Sequence, residues 1–300
     1  MKFLKILEKR KSIREYKSKK LSDSHFDLID SLSNNLPNAV KNQGLEVNIF
    51  KDGSIISEKL DGIIGYHGIM IKAPHYLLIF GDENEVAYKM TGYLGEWLVL
   101  KLTKEDIGTC WIDVGANDRL IKEKLNLVSH KSVLGIIALG YPKSDARVSS
   151  IYAENDDKLI SENRKGYPNT DIEYKDNIVS RRKPIEDIVF LSKWGNKITA
   201  EELDTRNYDE VFYYMRLAPS WTNRQPWKFI LDGTKIILYI ESSEQENNNY
   251  ELIESGIAML YFEVAMHGQG IPGYWNLEKL EDEKKYGAPD NYYYIGYYTF

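Results

Sequence analysis

The chain has 300 residues, 43% of them apolar and 28% charged, with a formal net charge of -6. That length allows one large domain or two of ordinary size, and the composition is that of a folded globular protein rather than a disordered or fibrous one. The mild acidity speaks against nucleic acid as a main partner, which needs clustered Lys and Arg, and a single cysteine, Cys110, excludes an intrachain disulfide and fits a reducing cytoplasm.

The N-terminal MKFLKILEKRKSIREY interleaves lysines with apolar residues and has no cleavage-site pattern, so it is expected to stay on the protein. Phe3, Leu4, Ile6 and Leu7 give a helical stripe that runs into the basic stretch Lys9 to Arg14. Ser22 or Asp23 is placed to cap a second helix with Phe26, Ile29 and Leu32 or Ser33 inside, stopping before Pro37. LEVNIF, residues 45–50, alternates as a strand. A Gly-rich loop, DGIIGYHGIM, leads to APHYLLIFGD, whose unbroken apolar run suits a strand buried on both faces. A longer helix is predicted over 84–103, then GTCWIDVG as a turn leading into a short element, then a second buried strand in LGIIALGYP. No apolar run approaches the ~20 residues of a membrane span, and no membrane partner is expected.

Residues 144–180 are polar and aperiodic and read as a connector with room for one short helix. From Arg181 the pattern starts again. Leu36-Pro37 precedes LEVNIF and a DGS turn, as Ala218-Pro219 precedes WKFILD and a DGT turn. HYLLIFGD is matched by KIILYIES, and Gly92 stands nineteen residues before Trp111 as Gly256 does before Trp275, an offset of 164 between the copies. The expectation is two homologous α+β halves in tandem, 1–190 and 191–300, with largely antiparallel mixed sheets and NYYYIGYYTF closing the second sheet.

Two stretches carry candidate chemistry. In RKSIREY, Arg10, Ser12 and Arg14 alternate, so an extended backbone projects two guanidinium forks and a hydroxyl in one direction, a set that suits a phosphate. The plainer reading is a solvated basic helix end capped by Ser12. In APSWTNRQPWKF, Pro219 and Pro226 bound a shaped loop. Its Ser220, Thr222, Asn223 and Gln225 could read the edge of a planar heteroaromatic ring beside Trp221 and Trp227, or could satisfy one another in a polar turn. Tyr66 and His67, in the Gly-rich loop, are candidates for a substrate pocket or for a surface tip. The histidines are scattered and no metal site is expected; Cys110 reads as a small packed residue.

Taken together, RKSIREY resembles the R-x-S-x-R-x-[FY] start of the flavin-dependent nitroreductase family, and APSWTNRQPWKF resembles its A-P-S-S-x-N-x-Q-P-W signature. GTCWI, IALGYP and RRKPIEDIV, residues 181–189, extend the resemblance to nearly the whole chain outside 144–180. Single-length members of that family are homodimers that bind FMN between subunits, each chain carrying both signatures. Here each occurs once: NNLPNAVKNQ replaces the ring-side motif of the first half, and the second half has no R-x-S-x-R. The resemblance therefore implies a fused pseudo-dimer, able to stand as a monomer or weak homo-oligomer, with one FMN site between its halves.

By the same resemblance Arg10, Lys11, Ser12, Arg182 and Lys183 would hold the FMN phosphate, and Arg14 would reach the ribityl chain or the N1/O2 end of the ring. Gly108 and Thr109 would offer main-chain contacts near N5. Pro219, Ser220, Trp221, Asn223 and Gln225 would face the ring, with Trp221, in place of the usual small residue, also lining the substrate pocket. The implied activity is a cytoplasmic oxidoreductase passing electrons from NAD(P)H to a nitroaromatic, quinone or similar small acceptor by a ping-pong mechanism; the alternative is an inactive flavin-binding or ligand-sensing protein. No G-x-G-x-x-G follows a strand, so NAD(P)H is expected as a transient donor.

Overall fold

The computed structural model describes residues 4–65, 70–115, 117–143, 182–242 and 249–300. Tyr66, His67 and the connector 144–180 lie outside the described residues.

The first half opens with α1 (Leu4–Lys9), which buries Leu4 and Leu7, and α2 (Asp23–Asn34), capped by the Ser22 side chain and burying Phe26 and Ile29. Strand β1 (Glu46–Phe50) follows, then α3 (Gly53–Leu60), β2 (His75–Gly81), α4 (Glu85–Lys104), β3 (Gly108–Ile112), α5 (Asp118–Leu125) and β4 (Ser132–Gly140). In the second half come β5 (Val189–Leu191), α6 (Ala200–Thr205), α7 (Asp209–Met215), β6 (Trp227–Asp232), β7 (Lys235–Glu241), α8 (Tyr250–Gly268), β8 (Tyr274–Asn276) and β9 (Tyr292–Thr299). The unbroken apolar run of β2 is buried along its whole length, as expected of a strand covered on both faces.

The two sheets repeat one plan. The first has the order β1-β2-β4-β3, antiparallel throughout, and the second β5-β6-β7-β9-β8, where β6-β7-β9-β8 repeats that order and only β5 is parallel to its neighbour. Even the irregularities correspond: β2 slips its register against β4 between Ile79 and Phe80, and β7 slips against β9 between Leu238 and Tyr239. The boundary expected between residues 190 and 191 runs through β5, whose pairing with β6 puts it in the second sheet.

Helices α4 and α8 occupy corresponding places, between β2 and β3 and between β7 and β8, and pack on each other. Both are apolar around much of their circumference, which is how a helix buried on all sides reads. Their contact is reciprocal. A methyl group on Gly92 would overlap the backbone carbonyl of Ile253, and one on Gly256 would overlap that of Lys89. Because 253 and 89 differ by the same 164 as 256 and 92, this is the self-complementary contact of a two-fold interface, here inside one chain. One core runs through both halves, joining Leu77, Leu94 and Leu134 to Phe229, Leu238 and Phe262.

Helices α3 and α5 depart from the sequence reading. Asp52-Gly53-Ser54, expected as a turn, starts a helix instead: the Asp52 carboxylate accepts from the Ser54 N–H at 3.2 Å as its N-cap, and Ile56 and Leu60 are fully buried.

Candidate functional site

RKSIREY leaves α1 and runs extended beside the end of the first sheet. Ser12 bridges in parallel to Thr109 of β3, the Ile13 N–H donates to the Thr109 carbonyl at 2.8 Å, and the Lys17 N–H donates to the Tyr141 carbonyl at 2.8 Å. The approach is close enough to require Gly108, where a Cβ would stand 2.9 Å from the Ile13 side chain. Around buried Cys110, Ser12 offers a hydrogen bond and Arg10 and Arg14 their charge; burial nevertheless pushes the thiol up. Lys11 is exposed.

Arg10 turns inward, its side chain 10% exposed. Its Nη1 donates to Ser12 Oγ at 3.4 Å, and its Nε lies 3.7 Å from Oε1 of Glu96, a fully buried α4 carboxylate. Glu96 also accepts from Trp111 Nε1 at 2.8 Å and from the Tyr261 hydroxyl of α8 at 3.2 Å. Burial pushes the Glu96 carboxyl up, and these three partners oppose it. Since Tyr261 belongs to the second half, the network holding Arg10 is complete only when the halves are docked.

From the other side, Arg182 reaches the end of α7: Nη1 donates to the Ala218 carbonyl at 2.7 Å and to Asn223 Oδ1 at 3.2 Å, and Nη2 to the Leu217 carbonyl at 3.0 Å. Burial, then the like charge of Arg10, lowers Arg182 to about 10, with Arg216 acting in the same direction. Three guanidinium groups, Arg10, Arg182 and Arg216, thus share one neighbourhood. Among the described residues, Glu96 is the only carboxylate paired with any of them, and the buried Nε atoms of Arg10 and Arg216 find no hydrogen-bond partner. Arg216 was not foreseen, because a lone arginine at a helix end carries no signal of its own until folding sets it beside two others.

The ring-side stretch is held in an unusual shape. Thr222, Asn223 and Gln225 all have left-handed φ, at 50°, 60° and 50°, each costing on the order of 1 kcal/mol without glycine. Several contacts secure it. The Gln225 N–H donates to Ser220 Oγ at 2.8 Å, the Lys183 N–H to Gln225 Oε1 at 2.9 Å, and Lys183 Nζ to the Gln225 carbonyl at 3.2 Å. Gln225 Nε2 donates to the Asn223 carbonyl at 3.1 Å. These bonds of Ser220, Asn223 and Gln225 pin the loop and tie it to Arg182 and Lys183. Pro219 and Ser220 lead into the turn at Trp221, whose N–H donates to Glu254. The indole stacks on Tyr250, centroids 5.5 Å apart and planes 6° from parallel, and the Tyr250 hydroxyl donates to Asp113 just past β3.

The stretches 10–14 and 218–225, about two hundred residues apart in sequence, thus converge through Arg182: it bonds the second and senses the charge of the first. Gly108 and Thr109 lie on the same side, fixed by Ile13 and Ser12. No helix among the described residues is long and apolar enough to cross a membrane.

The family described as "Putative TM nitroreductase" matches residues 2–266. Among solved structures, a "putative nitroreductase" from Thermotoga maritima is 19% identical with a TM-score of 0.56, the alignment covering 99% of this chain and 92% of that one. A nitroreductase with bound FMN from Bacteroides fragilis is 18% identical with a TM-score of 0.43, over 49% of this chain and 91% of that one. An FMN-dependent nitroreductase from Clostridium difficile is 21% identical with a TM-score of 0.40, over 55% and 98%. At 19% identity the full-length likeness concerns the fold alone. No functionally curated protein matches the chain.

Proposed function

The chain belongs to that nitroreductase family, and from the chemistry of its site we propose that it is an FMN-dependent oxidoreductase with one flavin site between two halves that meet near residue 190. The observation that carries the proposal is the excess of positive over paired negative charge around the half-buried Arg10, Arg182 and Arg216. Three neighbouring guanidinium groups with one paired carboxylate, and two buried Nε–H groups that make no hydrogen bond, suit a dianionic phosphate.

In this reading Arg10, Ser12, Arg182 and Lys183 bind the phosphate, with Lys11 adding charge at the surface. Arg14 supplies a cation toward the pyrimidine end of the ring, where negative charge is stabilised on reduction. Gly108 and Thr109 contribute main-chain groups, and Pro219, Ser220, Trp221, Asn223 and Gln225 form the loop against the ring. FMN, when bound, would supply the redox chemistry between NADH or NADPH and a small acceptor such as a nitroaromatic or quinone. The protein's part is orientation and electrostatics. The Trp221 and Tyr250 stack, anchored by Asp113, gives the pocket a flat wall that narrows the choice of acceptor.

The purified protein is expected to bind one FMN per chain and to bleach when mixed anaerobically with NADH or NADPH. Two FMN per chain would remove the single-site argument, and a protein that refuses FMN would remove the flavin reading. Binding without bleaching by either donor would make it a flavin-binding sensor.

A further inference from the structure

Three carboxylates are buried in the paired central helices, Glu96 of α4, fully buried, and Glu251 and Glu254 of α8, 7% and 3% exposed, and two of them, Glu96 and Glu254, are tied to the stretches described above. Burying a carboxylate is unfavourable unless it is well partnered, so each calls for a reason. The internal two-fold supplies one. At the offset of 164 fixed by Gly92 and Gly256, the counterpart of Glu96 is Leu260 and the counterpart of Glu254 is Met90, both buried and apolar. At these two pairs of positions the acid stands only in the helix that faces a half-motif. Glu96 faces Arg10, and Glu254 faces the ring-side loop.

Glu254 grips that loop at two points. Its Oε1 accepts the Trp221 N–H and its Oε2 pairs with Arg224 Nη2 at 3.2 Å, on either side of the left-handed residues Thr222 and Asn223. The other ionisable groups acting on it are its helix neighbours Glu251 and Tyr250. Lys89, on the facing turn of α4, is directed instead to the Ile295 carbonyl and Glu85. A short turn with three non-glycine residues at positive φ relaxes unless the surroundings over-determine it, and a buried carboxylate with two charge-assisted bonds is a strong constraint of that kind.

We propose that Glu254 is a positioning residue, the strut by which α8 holds residues 220–225 in the shape that receives the flavin ring. The proposal rests on the reading of this loop as the ring side of an FMN site. Glu96 plays the corresponding part for Arg10 on the phosphate side.

The test uses the full chain and two variants. Glu254→Met installs the residue the protein itself buries at position 90, so the helix pair is expected to form. Glu254→Gln keeps an oxygen for the Trp221 N–H. In flavin-free protein, Glu254→Met should speed amide hydrogen exchange at 221–225 by about tenfold or more, the loss of a charge-assisted bond, with α8 protection unchanged. In titrations it should weaken FMN and riboflavin by a similar factor, since the loop serves the ring and not the phosphate, and Glu254→Gln should recover most of the loss. Unchanged exchange at Trp221, or exchange raised equally along α8, overturns the positioning role, as does a weakening confined to FMN. A wild-type protein that binds neither flavin, with the loop exchange behaving as described, refutes the FMN reading and leaves Glu254 as the strut of a differently used loop.

Discussion

Gly256→Ala should weaken the protein even though alanine is the better helix former. The gain in helix propensity is about 1 kcal/mol. Against it stands the carbonyl of Lys89, which the new methyl would overlap. Carbonyl and helix are both backbone, so relief requires the α4 and α8 axes to part by about 1–2 Å, and gaps of that order forfeit a quarter to a half of each dispersion contact they open. Overpacking of this kind costs about 1–3 kcal/mol and occasionally more. Moving α8 also stretches the bond from the Tyr261 hydroxyl to Glu96, now 3.2 Å, beyond hydrogen-bonding range, which adds about 1 kcal/mol or more for a buried charged acceptor. The net expectation is a loss of about 1–3 kcal/mol, read as a lower urea midpoint with an unchanged slope. Gly92→Ala should behave alike, and the double variant should lose less than the sum because helices already parted admit the second methyl cheaply. A Gly256→Ala protein as stable as the wild type, or more so, would refute the close reciprocal contact.

Arg10→Ala should weaken FMN binding about ten- to a hundredfold in a fluorescence titration, the worth of charge-assisted bonds to phosphate; unchanged affinity would show that the arginine serves structure only. His75 is fully buried, accepting the Leu21 N–H at Nε2 (3.0 Å) and donating from Nδ1 to the Lys51 carbonyl (2.8 Å), an arrangement open only to the neutral ring, and burial lowers its pKa. Its stabilisation should therefore be complete above its ordinary pKa of about 6.5 and fade as pH falls through the depressed folded value; His75→Ala should flatten that acid limb of a stability profile, and an unaltered limb would rule the residue out. Glu254 has the opposite sign: burial raises it to about 7, so the folded state holds its proton more tightly, and on the order of 3 kcal/mol of stability should be lost as pH rises from about 4.5 through about 7. Glu254→Gln should abolish that descent, and a descent of the same size in the variant would assign it to another group.

Much of the fold could be read from particular runs of sequence. β2 and β4 are legible because a strand buried on both faces must be apolar at every position, and the repeat is legible because the pairs Gly92 with Trp111 and Gly256 with Trp275 keep their spacing while loops change. Helix α3 was hidden by its own cap, since Asp-Gly-Ser serves equally as a turn and as a helix start. At the site, residue types located both half-motifs, yet the direction of their side chains could not be read. Ser220, Asn223 and Gln225 have the same donors and acceptors whether they face a ligand or one another, and the left-handed Thr222, Asn223 and Gln225 around which their bonds form carry no glycine to announce that shape. Glu96 and Glu254 did leave a trace, as acids within largely apolar helices, but an acid in a helix reads as a solvated face until the helix proves buried on all sides.

The reciprocal contact of α4 with α8 has a consequence for how the protein meets dilution. Two separate copies of such a half would have to find each other, and their folded fraction would fall as concentration fell. Here each half is tethered to the other, so the second docking event draws on an effective concentration set by the chain itself. The unfolding midpoint should stay fixed across protein concentrations, and a cell could keep this protein at trace abundance without its halves coming apart.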